Sequence, residues 1–138
     1  MRWSITVREV MSRDVVAVDV TATPSVLQDL LQGSAFHHLP VLEGKTLVGM
    51  VSAIDLARVS LSAWVEDAET AGAWLDSKFR IRDLMTWEPE FVRDADTIRV
   101  AADKLSSGSF HALPVLDHKD ALVGIVTSTD LVRVLAQG

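Results

Sequence analysis

One stretch of this chain occurs twice. Phe36-His37-His38-Leu39-Pro40-Val41-Leu42 returns as Phe110-His111-Ala112-Leu113-Pro114-Val115-Leu116, and Val10-Met11-Ser12 returns as Leu84-Met85-Thr86. Both pairs stand 74 positions apart. A third stretch, Gly49-Met50-Val51-Ser52-Ala53-Ile54-Asp55, returns as Gly124-Ile125-Val126-Thr127-Ser128-Thr129-Asp130, 75 positions on. The extra residue falls where Glu43-Gly44-Lys45-Thr46 becomes Asp117-His118-Lys119-Asp120-Ala121, a turn where insertions cost little. A duplication binds the fold tightly, because each copy must be the same supersecondary unit and neither is large enough to hide its apolar faces alone.

The repeats span 7–59 and 80–135, and each reads as strand, helix, strand, strand, helix. The first strand is expected at Val15–Val18 in one copy and around Phe91–Val92 in the other. A helix follows from Thr23-Pro24 or Thr97. Proline suits a first helical turn, and Val26, Leu27, Leu30 and Leu31 share one helical face. Gly33 is placed to end that helix. Two short apolar runs, Leu39–Leu42 and Leu47–Val51, flank Gly44 as a β-hairpin, and a last helix runs through Leu56 to about Val59. The fold class is α/β (α+β): two β-α-β-β-α repeats expected to pack with approximate two-fold symmetry. Between them, 60–79 keeps Leu61, Val65, Ala68, Gly72, Leu75 and Phe79 at helical spacing, with Trp64 and Trp74 beside them and Glu66, Asp67, Glu69 and Asp76 elsewhere. Gly72 weakens that helix. It serves either to cover its own domain or as a dimer or partner surface.

Composition removes several classes of function. The 138 residues are 49% hydrophobic, with a mean hydropathy of +0.25. No apolar run approaches the roughly 18–20 residues that span a bilayer, and charge interrupts MRWSITVREVMSRD too early for a signal peptide. A cytoplasmic location with no membrane contact is expected. There is no cysteine, hence no disulfide, thiolate metal site or thiol nucleophile. A net charge of −6 without a Lys/Arg block argues against nucleic-acid binding.

The V-M-S or L-M-T segment, F-H-x-L-P-V-L and the closing G-h-V-S/T-x-x-D (h apolar), in that order and twice, resemble a tandem pair of cystathionine-β-synthase (CBS) domains, a Bateman module. The resemblance covers nearly the whole chain. It implies a regulatory module that binds an adenosine-containing ligand (AMP, ADP, ATP or S-adenosylmethionine) in a cleft between the repeats. Asp55 and Asp130 would receive ribose hydroxyls and Ser52 and Thr127 would meet phosphate. Val15, Val16, Ala17 and Phe91, around the first strands, would enclose the adenine. The chain is similar to stand-alone members, which pair into homodimers; a regulated protein partner is implied but not identified.

Elementary chemistry offers two readings of the Ser/Thr-x-x-Asp corner. It is a capping box, in which the hydroxyl and the acid satisfy each other's backbone amides, and each hydroxyl then contributes about 1 kcal/mol. It is also half of an anion site, since a helix start offers N–H groups and a carboxylate can accept two ribose hydroxyls. His37, His38 and His111 stand where relatives carry basic residues toward phosphate. Histidine brings little charge at neutral pH, so a mono- or diphosphate fits better than ATP, and Ala112 leaves the second repeat one donor short. Phe91 either stacks on a base or fills its pocket, with filling the expected outcome. A His-pair metal site lacks a third ligand, and no nucleophile has an evident Ser-His-Asp setting. An enzyme is therefore not expected. The readings left are a nucleotide sensor and a ligand-free dimerisation or docking scaffold.

Overall fold

The computed structural model describes residues 4–32, 37–60 and 68–137. Gly33, Phe36, Leu61, Trp64, Val65, Glu66 and Asp67 lie outside them. Along the chain, α1 (Val7–Val10) precedes β1 (Val18–Asp19), α2 (Pro24–Gln32), β2 (His38–Glu43), β3 (Thr46–Ser52) and α3 (Ala53–Ser60). There follow α4 (Ala68–Lys78), α5 (Ile81–Leu84), β4 (Thr86–Trp87), β5 (Val92–Arg93), α6 (Ile98–Leu105), β6 (Ala112–Leu116), β7 (Leu122–Thr127) and α7 (Ser128–Gln137). No helix among the described residues is long and apolar enough to cross a membrane.

Pro24 opens α2 as its chemistry requires,. The hairpins form where the paired apolar runs lie, β2 on β3 and β6 on β7, each with a register shift just after its central valine. Gly44 takes the first turn at φ +64, a conformation glycine adopts freely. In the longer second turn Asp120 holds φ +65, and the Asp117 carboxylate closes the loop by accepting from Lys119 N–H (2.8 Å) and Ala121 N–H (3.0 Å). The Ala121 amide first, then that of Lys119, holds the Asp117 carboxyl below its ordinary range.

The first strands lie later than the apolar pattern indicated. β1 is Val18–Asp19, not Val15–Val18, and β5 is Val92–Arg93, not Phe91–Val92. The reason is pairing: a strand exists only where a neighbour accepts its hydrogen bonds. Parallel partners are present for Val18 and Asp19 (Val41 and Leu42) and for Val92 and Arg93 (Val115 and Leu116).

The chain forms two compact units whose boundaries cut across the repeats. One is Val16–Glu88; the other joins the described parts of Met1–Val15 to those of Pro89–Gly138. In the first unit Leu27, Leu39, Val41, Val51, Leu75 and Ile81 are fully buried, each worth about 1.5–3 kcal/mol as a removed apolar side chain. Its sheet runs β1-β2-β3-β4, so the strand after the second Met-Thr motif completes the first repeat's hairpin. Helix α4 runs through Gly72 and packs on α2 and α3. It buries Leu75 and turns Trp74 edge-on to Phe79 (5.9 Å between centroids). This portion of 60–79 covers its own unit.

The second unit has the sheet β5-β6-β7 and a core of Val7, Val92, Ala101, Leu105, Leu113, Val115 and Val126. Here the N-terminal segment joins the second repeat: Ser12 and Ile125 exchange backbone hydrogen bonds (2.8 and 3.0 Å). A Cβ at Gly124 would lie 2.5 Å from Met11 Sδ and 2.9 Å from the Ser12 carbonyl oxygen. The same arrangement recurs in the first unit, where Gly49 is covered by the Met85 side chain. Each duplicated methionine thus lies over the duplicated glycine of the other repeat.

These contacts differ in what must move. Gly124→Ala forces the Ser12 backbone aside and is expected to cost about 1–3 kcal/mol. Gly49→Ala meets only Met85 side-chain atoms and should cost less. Urea unfolding of both variants checks this; equal losses would overturn it.

Candidate functional site

β3 carries the chain to Ser52, and α3 begins at the next residue. Ser52 N–H and Ser52 Oγ both donate to Asp55 Oδ2, at 2.8 and 2.9 Å, and Ser52 Oγ accepts from Asp55 N–H at 3.1 Å. At the start of α7, Thr127 N–H donates to Asp130 Oδ2 (2.8 Å) and Asp130 N–H donates to Thr127 Oγ1 (3.1 Å). Both corners are complete capping boxes. The histidine before each hairpin takes part through its backbone: His37 C=O accepts from Ala53 N–H (3.0 Å) and His111 C=O from Ser128 N–H (2.9 Å). The amides at the helix starts are therefore mostly occupied. Among the described residues only Ile54 N–H at one corner and Thr129 N–H at the other keep no partner in their first three positions. A helix start without these caps would offer an anion more.

The corners differ in what they leave unspent. Asp55 Oδ1 accepts no hydrogen bond among the described residues, while Asp130 Oδ1 faces Arg133 Nη1 at 3.4 Å. That pair joins an Arg133 side chain 65% exposed to an Asp130 only 14% exposed, and so contributes under about 1 kcal/mol. Conversely, the Ser52 hydroxyl proton is committed to Asp55, whereas among the described residues the Thr127 hydroxyl only accepts. Arg133 was missed in the sequence; its signal was the i,i+3 spacing from Asp130. Arg58 stands at the same spacing from Asp55 but makes no ion pair among the described residues.

The other expected site residues fall as follows. His38 is half-buried in β2, in register with Ser52. Its counterpart Ala112 is buried opposite Thr127, so the second corner lacks that donor. His37 and His111 are exposed. Val15 belongs to the unit containing the second corner, and Val16 and Ala17 to the unit containing the first. Phe91 is half-buried, with the Arg93 guanidinium 5.2 Å and the Lys104 ammonium 5.6 Å from its ring centroid. Lys104 also donates to the Phe91 carbonyl (2.7 Å) and to Glu90 (3.2 Å). A base stacking on this ring competes with cations that already use its π electrons.

Two interleaved β-α-β-β-α units that close on capped Ser/Thr-x-x-Asp corners define a CBS pair. The CBS domain family model matches residues 7–62 and 81–137, and the chain belongs to that family. Among solved structures it is similar to CBSX2 from Arabidopsis thaliana, at 31% identity over 97% of this chain and 96% of that one, with a TM-score of 0.75. A CBSX2 structure described as in complex with AMP gives 29% identity, 96% and 97% coverage and a TM-score of 0.77. A CBS domain-containing protein of Dictyostelium discoideum is 25% identical over 95% of this chain and 91% of its own length. A homoserine O-acetyltransferase of Methanocorpusculum labreanum is 27% identical over 92% of this chain, but the chain spans only 23% of that enzyme.

The caps are testable without any ligand. Ser52→Ala removes two hydroxyl hydrogen bonds and Thr127→Ala one, so each should cost about 0.5–2 kcal/mol, more at Ser52. Thermal unfolding measures both, and two unchanged stabilities would show that the boxes do not hold these helices.

Proposed function

We propose that the chain is a regulatory, non-catalytic module that binds an adenosine-containing ligand, with AMP or ADP favoured over ATP. The observation that carries this is the unspent chemistry at the corners. Among the described residues Asp55 keeps one carboxylate oxygen without a donor, suited to ribose hydroxyls, and Thr127 keeps a hydroxyl proton suited to a phosphate oxygen. The AMP complex of the similar CBSX2 supports the ligand class. Histidines in place of arginines, and Ala112 in place of a donor, favour the smaller phosphate charge,. Asp55 is the stronger ribose acceptor of the two, because Asp130 already faces Arg133. Ser52, His37, His38 and His111 are secondary phosphate contacts, and Val15, Val16 and Ala17 wall the base. Phe91, with Arg93 and Lys104 already over its ring, fills space rather than stacks.

A sensor needs a ligand that prefers one of two arrangements. The output surface we assign is a homodimer contact through exposed apolar residues of α7, Val132 and Leu135, which are 61% and 54% exposed. The unit-covering role of α4 leaves Leu75 and Trp74 out of that surface. The capping boxes stand complete without ligand, which favours the scaffold as the alternative reading.

Thermal unfolding of nucleotide-free protein with AMP, ADP, ATP and S-adenosylmethionine decides between them. Ligand at 100 times its Kd stabilises by about 2.7 kcal/mol, a shift of several degrees. Asp55→Asn, which keeps an oxygen for the cap, should lose more of the AMP shift than Asp130→Asn. No shift with any of the four ligands would leave the corners as caps and the chain as a scaffold.

A further inference from the structure

The duplication exposes a difference at the other end of the sheet from the corners. In the second unit the segment before α1 is sewn to the loop before α6. Ile98 N–H donates to Ile5 C=O (2.8 Å), Val7 N–H to Asp96 C=O (2.8 Å) and Arg8 N–H to Asp94 C=O (3.0 Å), while Thr6 and Thr97 form a β-bridge. Arg8 adds a two-nitrogen ion pair to Asp94, at 2.8 and 3.2 Å. This seam is closed.

In the first unit the same positions carry residues that cannot close it. Pro24 stands where the second has Ile98 and has no N–H to give. Val20 replaces Asp94 and Ala22 replaces Asp96, so the acid that would hold Arg82 is gone. No hydrogen bond joins Ile81 or Arg82 N–H to Val20 or Ala22 C=O, and no bridge joins Arg80 to Thr23. A cleft of about 320 Å³ lies there instead, walled by Val20, Ala22, Pro24 and Phe79 and bordered by Arg80 and Arg82. It sits beside the end of β2 that leads into the hairpin turn, whereas Ser52 pairs with the opposite end of that strand.

The charges of the cleft select its ligand. The Arg80 guanidinium has no partner among the described residues. Arg82 makes only an exposed 3.5 Å pair with Glu43 and lies 5.0 Å over the Trp87 ring. Asp76 also lines the cleft, but its two oxygens are taken by Ser25 N–H (2.8 Å) and Ser25 Oγ (2.7 Å). Thr21 also lines the cleft, but its hydroxyl donates to Asp19. With Asp76 satisfied by Ser25 and Glu43 holding Arg82 only loosely, Arg80 and Arg82 above an apolar floor suit an oxyanion head on a small apolar body, since guanidinium forks match phosphate and carboxylate,. The volume lies within the usual range for small-molecule pockets.

We propose that the opened seam of the first unit is a second binding site, separate from the corners, for a small organic anion with a phosphate or carboxylate head.

Phenyl phosphate titrated into the whole chain tests this by backbone amide NMR, with inorganic phosphate in parallel. Saturable shifts are expected at Val20–Thr23 and Phe79–Arg82 but not at 52–55 or 127–130, with phenyl phosphate binding more tightly than inorganic phosphate. Arg80→Gln, a surface change, should weaken binding about tenfold or more, and Arg80→Lys less. Val20→Asp, which restores the acid of the closed seam, should abolish binding; because Val20 is buried, Arg80→Gln is the deciding variant. Shifts at the corners alone, no saturation, or equal binding in Arg80→Gln would overturn the proposal. A lost AMP response in Asp55→Asn with the cleft shifts retained keeps this site distinct from the nucleotide reading.

Discussion

A methionine lying on a glycine closes each half of this protein. Met85 covers Gly49 and Met11 covers Gly124, and in both cases the methionine is borrowed from the other repeat. A residue without Cβ leaves room for the sulfur over the strand, beside the places where β4 pairs with β3 and Ser12 bridges to Ile125. Buried Val7 and Ile81 then enter cores built mostly by the repeat they do not belong to. Neither repeat has a finished core without its exchanged segment, so the duplication is a structural requirement as much as a history.

The corners serve structure first, as capping boxes at the starts of α3 and α7. Ser52 and Asp55 satisfy each other, as do Thr127 and Asp130, and the backbone carbonyls of His37 and His111 complete the helix starts. The groups left without a partner among the described residues are few and unequal: one carboxylate oxygen at Asp55, one hydroxyl proton at Thr127, and single amides at Ile54 and Thr129. Part of the inequality is a substitution, Ala112 opposite Thr127 where the first copy has His38 opposite Ser52; the rest is not, because Arg58 and Arg133 match and only Arg133 pairs with its aspartate among the described residues.

Divergence at the far end of the sheets follows the same logic. The second unit spends Arg8, Asp94 and three backbone amides on a closed seam. The first unit has Pro24 and Val20 at the matching positions and keeps a cleft with Arg80 beside it. Removing one donor and one acid is enough, since each seam rests on a handful of hydrogen bonds that no longer have both partners.

Much of this was legible in the chain. The hairpins, the helix start at Pro24, the extra residue in the second turn and the capped corners are all local: each depends on residues within a few positions, and the duplication stated each of them twice. The first strands were misplaced by apolar pattern because Val18 and Val92 become strand by pairing with Val41 and Val115, not by propensity. Short helices α1 and α5 carry too few residues to show a period. What the sequence alone could not decide was which methionine covers which glycine, since the two motifs are interchangeable as patterns. Tertiary structure chose the exchange, because a sheet edge and a core can be completed only by whichever segment the connecting chain brings within reach. The cleft beside Arg80 arose in the same way, from residues 20–24 and 76–82 that meet only after folding.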